Sequence, residues 1–341
     1  MSLSHINYPL TPVFDVLIDG KSLDMEIHTH LTSLTVDDHL HKVSMFAFDV
    51  EAADDAVEEN AWIDYSGFEV GGKVEIKMGY GSKLASLFKG EITGLEPSFY
   101  CDRLPRLTVR GYDRGHRLQR GTRTRTFAQQ KDSDIARQIA TEAGLTAAVD
   151  DSQVTHEYVI QANLSDLEFL LARAEAINYE VVVEDQTLYF RKAASDQGSL
   201  VTLKMGDDVL EFHPRLTSAQ QVSEVSVLGW SLKEKKNIQA RATSLTEKVG
   251  GKNSGPSLSQ SAFGDATRVI TSQPVTTQAE ADQMAQAALN RQALALIEGS
   301  GSCLGRADLK KGKMIEIKGT SERFDGQYYV TAVIHRFDQA S

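Results

Sequence analysis

Cysteine is scarce. The 341 residues hold only Cys101 and Cys303, far apart in sequence, which argues against a disulfide framework and for a reduced, cytosolic origin. Long apolar runs are missing. No stretch approaches the ~20 residues that a bilayer-spanning helix needs, and the N-terminus MSLSHINYPLTPVFDV lacks the charged-then-apolar layout of a secretory signal. Basic residues are in deficit, 36 against 47 acidic ones, for a formal net charge of −11. Phosphate binding asks for a basic surface, so no specific nucleic acid is expected as the main partner. Catalytic signatures are absent too, with no G-x-S-x-G and no H-E-x-x-H. No enzymatic activity, cofactor or metal is therefore expected.

The length suggests two to three domains, and the apolar content suffices for real cores. Residues 6–125 read mainly as β. Alternation runs through Val74-Glu75-Ile76-Lys77-Met78 and Leu107-Thr108-Val109-Arg110, and Asp19-Gly20, Gly71-Gly72 and Gly94 punctuate it as turns. Residues 126–195 change to an α/β pattern. Asp132 is placed as the cap of a helix carrying Ile135 and Ile139 that Gly144 ends. Ser165 and Glu168 form a capping box, with Leu164 and Phe169 at the flanking staple positions and an apolar stripe of Leu167, Leu170, Leu171, Ala174 and Ile177. Strands over 179–184 and 187–191 follow, joined by Asp185-Gln186. From residue 200 the chain returns to β, with strands at 225–228, 314–317 and 328–335. One helix interrupts at about 277–296, boxed by Thr277 and Glu280, and the Gly- and Ser-rich stretch 249–264 reads as a mobile loop.

Two features imitate sites. His28, His30, His39 and His41 form two i, i+2 pairs that, on strands, would each share a face. They lack cysteines and anything that fixes one pair beside the other, so metal is not expected. Gly299-Ser300-Gly301-Ser302-Cys303-Leu304-Gly305 resembles a dinucleotide loop, but its third glycine is one residue late and it follows a helix, so a turn is expected instead.

Charge is segregated. Residues 37–64 carry nine acids, among them Asp54, Asp55, Glu58 and Glu59, against Lys42 alone, whereas 103–125 carry eight arginines, among them Arg117, Arg120, Arg123 and Arg125, against Asp113. The guanidinium fork suits bidentate pairing with carboxylates, so these two stretches are the candidate interface residues.

Four groups of residues carry a family resemblance. Val109-Arg110-Gly111-Tyr112-Asp113-Arg114 leads through Leu118 and Arg120-Gly121 to Thr124-Arg125-Thr126-Phe127. Gln161-Ala162-Asn163-Leu164-Ser165-Asp166-Leu167-Glu168-Phe169-Leu170-Leu171 is the second. Val225-Ser226-Val227 with Gly229-Trp230 is the third, and Gly326-Gln327-Tyr328-Tyr329-Val330 with His335 closes the set. In this order they resemble the late control D family of phages and the related VgrG proteins of contractile injection systems. The resemblance implies a mainly β (α+β) fold like the T-even phage tail hub. It consists of a β-barrel tube domain (1–125), an inserted α/β domain (126–198) and a second β-barrel tube domain (199–341), both barrels antiparallel.

The implied role is structural. A homotrimeric baseplate hub joins the sixfold inner tube protein to a threefold spike, and it contacts baseplate wedge proteins. It is assembled in the bacterial cytoplasm and ends in a phage tail or extracellular particle. VgrG proteins continue into a spike, whereas this chain ends where the hub body would, so the spike tip is expected either as a separate protein or as a C-terminal extension. The alternatives are a tail-tip cell-wall hydrolase, which needs an acid pair in a cleft, and a nucleic-acid-binding tail protein using the arginines.

Overall fold

Alternating burial along Pro12–Ile18 (β1) turns Phe14, Val16 and Ile18 inward, and the same period-two pattern builds the sheet around it. The structure is a computed structural model describing residues 11–51, 63–102, 104–193, 201–246 and 254–339. After β1 come Lys21–Ser22 (β2), the short helix Met25–Thr29 (α1), Leu31–His39 (β3), Met45–Glu51 (β4), Lys73–Tyr80 (β5), Lys83–Ser98 (β6) and Arg106–Tyr112 (β7). They pair antiparallel in the order β2-β1-β5-β6-β7-β4-β3. Phe46, Phe48, Leu34, Ile76 and Val109 lie at full burial on its inner face.

The middle of the chain contains the 3-10 turn Arg114–Gln119, then Arg123–Lys131 (β8), Asp132–Glu142 (α2), Thr146–Val149 (β9), Thr155–Leu164 (β10), Asp166–Ala176 (α3), Tyr179–Glu184 (β11) and Thr187–Lys192 (β12). A β8–β10 ribbon and a β11-β12-β9 sheet enclose the helices' apolar faces, with Ile135, Ile139, Phe169, Leu170 and Phe190 inside. Ser165 and Glu168 form the expected reciprocal box at the start of α3. Gly144 takes φ +70°, and the N–H of Leu145 closes on the carbonyl of Ala140 at 2.8 Å, so α2 ends as expected. Its N-terminal cap is Lys131, not Asp132; the Asp132 carboxylate is occupied elsewhere.

The third part contains Val201–Lys204 (β13), Val209–Leu216 (β14), Glu224–Ser231 (β15), Lys236–Ala242 (β16), Gly255–Phe263 (α4), Thr267–Ile270 (β17), Gln278–Leu294 (α5), Ile297–Cys303 (β18), Met314–Lys318 (β19) and Gly326–Tyr329 (β20). The strands fall into sheets β13-β19-β20, β14-β18 and β16-β15-β17, and α5 packs Ala281, Ala285, Ala288 and Leu289 against β15 and β16. The molecule is thus mainly β with many antiparallel pairs.

Four details depart from the sequence reading. The parallel pairs β13–β19 and β15–β17 interrupt the antiparallel pairing expected of this part. Residues 255–263 form α4 where a mobile loop is expected, because Ser254 caps the helix, Pro256 suits its first turn and Gly264 accepts φ +85° at its end; 249–253 lie outside the described residues. The glycine-rich 299–303 is strand, not turn: a Cβ on Gly301 would collide with the Glu211 carbonyl across the ribbon, so glycine permits close pairing. The expected strand 328–335 is two, β20 and Ala332–Asp338 (β21), and β21 pairs with β3 from Ala332↔His39 to Asp338↔Ser33. The chain's end therefore completes its first sheet as an eighth strand, and Phe337 packs on Phe14 with ring centroids 4.5 Å apart.

Leu170 is fully buried in the α3 stripe. Leu170→Asp is expected to cost about 4 kcal/mol in urea unfolding, the scale of an unpaired buried charge; a loss below about 1 kcal/mol would place the stripe at a surface.

Candidate functional site

The arginine stretch pairs largely within the chain. Asp113 caps the 3-10 turn by accepting from Gly115 N–H, and it accepts from Ser44 N–H, each at 2.8 Å. That turn aims Arg114, His116 and Arg117 at one carboxylate, Glu91 on β6, at 3.2, 3.0 and 2.5 Å. Burial pushes the Glu91 pKa up, but the bonds from Arg117, His116 and Arg114 outweigh it and hold the carboxyl below its ordinary range. Arg123 and Arg125 project from one face of β8. Arg125 reaches Glu142 at 2.5 Å, Asp166 at 2.7 Å and Gln161 at 2.8 Å, and Arg123 reaches Glu142 at 2.9 Å. They thereby join the end of α2 to the start of α3. Arg106 and Arg110 meet Asp49 and Glu96.

Of the four arginines expected at an interface, Arg117, Arg123 and Arg125 pair with carboxylates of the same chain, Arg117 and Arg123 while staying 42 % and 50 % exposed. Arg120 alone of these is exposed without an ion-pair partner among the described residues. Asp54, Asp55, Glu58 and Glu59 lie outside the described residues. A run of arginine in sequence does not reveal which carboxylates the topology brings to it.

A second node joins the middle and third parts. His156 on β10 is buried between Asp132 of α2, at 3.0 Å from Nε2, and Glu280 of the α5 capping box, at 2.5 Å from Nδ1. Arg173 from α3 donates to Asp132 through Nε at 2.6 Å and Nη2 at 3.1 Å. With a carboxylate at each nitrogen the ring is an imidazolium. Arg173 Nη2 lies 2.9 Å from Nε2, so two cations share Asp132. Burial pulls the imidazole pKa down, yet its bonds to Asp132 and Glu280 carry it up to about 9. Burial likewise raises Glu280, but bonds from His156 and Thr276 hold it at about 2.

Two further nodes join the third part to the others. Lys311 is buried with Nζ 2.8 Å from Asp38 and 2.6 Å from Ser44 Oγ. Burial pushes the Asp113 carboxyl up, opposed by Lys311 and by the N–H groups of Ser44 and Gly115. Glu180 on β11 accepts from Arg191 Nε at 2.7 Å and from the Tyr329 hydroxyl of β20. The Lys311–Ser44 pair has the atoms of a serine–lysine dyad. Ser44 is 1 % exposed, however, and the adjoining cavity is only about 10 Å³, too small for a substrate. A larger, mainly apolar cleft of about 2450 Å³ opens where the three parts meet, lined by Tyr80, Leu171, Asn178, Phe212 and Tyr328 among others. Part of its charged lining is paired internally: Arg306 with Asp308 and Asp208, Arg291 with Glu175.

The histidines are dispersed. His28 and His30 belong to α1 and its cap, not a strand as expected. His28 stacks on Phe14 at 4.3 Å, and the His39 and His41 rings stand 6.0 Å apart. Among the described residues no group of three or more His, Cys, Asp or Glu is placed to hold a metal. No described helix is long and apolar enough to cross a membrane.

The His156 node has a defined pH response. The folded pKa of His156 lies above its ordinary 6.5, so its contribution is full below that value and is lost as pH rises through about 9. Glu280 lies below its ordinary 4.5, so its share is lost as pH falls through about 2. His156→Gln should cost about 3 kcal/mol at pH 6, and the gap to wild type should shrink by pH 10. An equal gap at both pH values would show that the ring's charge is not what binds the two parts.

The arginines allow a second test. Arg125→Glu puts a carboxylate beside Asp166 and Glu142 and should cost about 3 kcal/mol, while Arg120→Glu should stay within about 0.5 kcal/mol. Thermal or urea unfolding separates them. Reversing Arg117, Arg120, Arg123 and Arg125 together is therefore expected to damage the fold.

The fold has relatives of known structure. A 43 kDa tail protein of prophage MuSo2 from Shewanella oneidensis superposes with TM-score 0.71 at 15 % identity, covering 96 % of this chain and 95 % of that one. A tail protein from Neisseria meningitidis MC58 gives 0.66 at 12 % identity over 96 % and 93 %. Prophage tail protein gp18 from Listeria monocytogenes EGD-e gives 0.60 at 13 % over 94 % and 90 %. No curated protein matches by sequence. The fold is thus one found in phage tail proteins. One family model, described as the Alg8 N-terminal domain, matches residues 10–339. It stands in place of the late control D family that the motifs resemble, and the chain belongs to the Alg8 N-terminal domain family.

Proposed function

We propose that this protein is a structural, non-enzymatic subunit of a contractile, phage-tail-like injection device: the baseplate hub, a homotrimer that adapts a sixfold inner tube to a threefold spike. One observation carries the reading, the end-to-end likeness to prophage tail proteins, which leaves no large part of either chain unmatched. The buried ion pairs support it. Carboxylates that a catalytic reading would recruit are engaged by cations of the same chain, Glu91 by the 3-10 turn and Asp132 by β10 and α3. A body stapled in this way passes position and force between neighbours without deforming. In this reading residues 1–125 and 199–341 supply the tube-wall barrels, with 126–198 as the insertion beside them. The inner tube protein, the spike tip or a C-terminal spike extension, and baseplate wedge proteins are the partners. Assembly takes place in the bacterial cytoplasm before the particle matures.

Native mass spectrometry of the purified protein tests this. Three copies of the 37.5 kDa chain are expected at micromolar concentration. A monomer that persists to about 100 µM, where contacts of millimolar Kd and weaker go unformed, would remove the trimeric adaptor. A lytic band in a cell-wall zymogram would remove the non-enzymatic reading.

A further inference from the structure

Beyond the arginine stretch, whose members pair largely within the chain, positive charge gathers at a second place. The turn between β15 and β16 and the strand after it, residues 232–241, carry Lys233, Lys235, Lys236 and Arg241 against Glu234 alone, all of them exposed. Lys235 has no ion-pair partner among the described residues, and Lys233 and Lys236 meet only solvent-exposed acids. Large apolar side chains stand in the same place. Leu232 is 83 % exposed and Trp230 49 %, with Leu228 on the same outward face of β15. Water-facing tryptophan and leucine ringed by cations, on a chain of net charge −11, mark a docking surface for something acidic with an apolar centre.

The first sheet presents that complement. Around α1 and the turn at 64–72, Met25 is 81 % exposed and Val70 71 %. They are flanked by Asp19, Asp24, Glu26, Asp64 and Glu69, with Lys21 and Lys73 as the neighbouring bases. The two segments adjoin, since the Tyr65 hydroxyl donates to Asp24 at 3.2 Å. This surface sets exposed apolar side chains among acids where the first sets them among cations, and the two lie in different parts of the molecule. A threefold ring needs two unlike surfaces on each subunit, because its contacts are heterologous.

We infer that the Trp230–Leu232 surface with its lysine rim docks onto the Met25–Val70 acidic surface of a second copy of this chain, and that this contact sets the register of the ring. The inference rests on the trimeric reading above and names the surfaces that reading leaves open. The apolar centres supply affinity, while the opposed rims speed encounter and exclude wrong registers.

The test is a charge exchange read by native mass at low salt. Lys233→Glu, Lys235→Glu and Lys236→Glu together should weaken self-association on the order of a hundredfold, since each rim pair contributes up to ~1 kcal/mol. Glu26→Lys, Asp64→Lys and Glu69→Lys together should do the same. Because every substituted side chain is exposed, melting temperatures should stay close to wild type, and Trp230→Ser with Leu232→Ser should weaken assembly independently of salt. Combining the two charge sets in one chain should restore the trimer. If the lysine set leaves a wild-type trimer, the inference fails and the trimeric reading stands. If each set breaks the trimer but the combination does not restore it, the two surfaces do not meet. If wild type is itself monomeric, both fall.

Discussion

A buried carboxylate must find a partner, and Asp132 is 2 % exposed. Left alone, such a charge would cost several kcal/mol, so the chain must bring His156 and Arg173 to it, and His156 in turn must meet Glu280. Those four residues come from α2, β10, α3 and α5. Satisfying one charge therefore fixes how the helices of the middle part sit on the third part. The apolar cores would tolerate small rotations of one part on another. A doubly hydrogen-bonded imidazolium does not, because its bonds weaken steeply with angle.

The same logic recurs at each junction. Glu91 gathers the 3-10 turn onto the first sheet, Lys311 brings the segment before β19 to Asp38 and Ser44, and Glu180 couples β11 to β20 through Tyr329. The closing strand β21 adds a backbone ladder to these side-chain nodes. Ion pairs of this kind contribute little net stability against an apolar alternative, and a role in fixing one arrangement is their best-attested use. For a subunit proposed to pass geometry from tube to spike, one arrangement matters more than extra stability.

Local signals survived folding well. The boxes at Ser165 and Thr277, the αL end at Gly144 and the β11–β12 hairpin at Asp185-Gln186 formed where they were expected, because each depends on residues within one or two turns of each other. Readings that needed distant information fared worse. Asp132 reads as a cap from its neighbours but is claimed by a histidine 24 residues away. The 255–263 stretch reads as loop by composition, yet Ser254, Pro256 and Gly264 happen to be a helix's start and stop. The glycines at 299–301 read as a turn, yet they permit close approach to β14.

The arginine stretch draws the line most sharply. Its composition by itself determined that these side chains would seek carboxylates, since the guanidinium is always charged and its fork fits two oxygens. Which carboxylates, and whether on this chain or another, was decided only when β6, α2 and α3 placed Glu91, Glu142 and Asp166 within reach. Sequence likewise determined the β–α/β–β order and the apolar faces, because periodicity of two or 3.6 residues is a local property. Tertiary structure alone decided that the last strand returns to the first sheet. Pairing β21 with β3 joins residues 293 or more positions apart, and no local pattern encodes a partner at that distance.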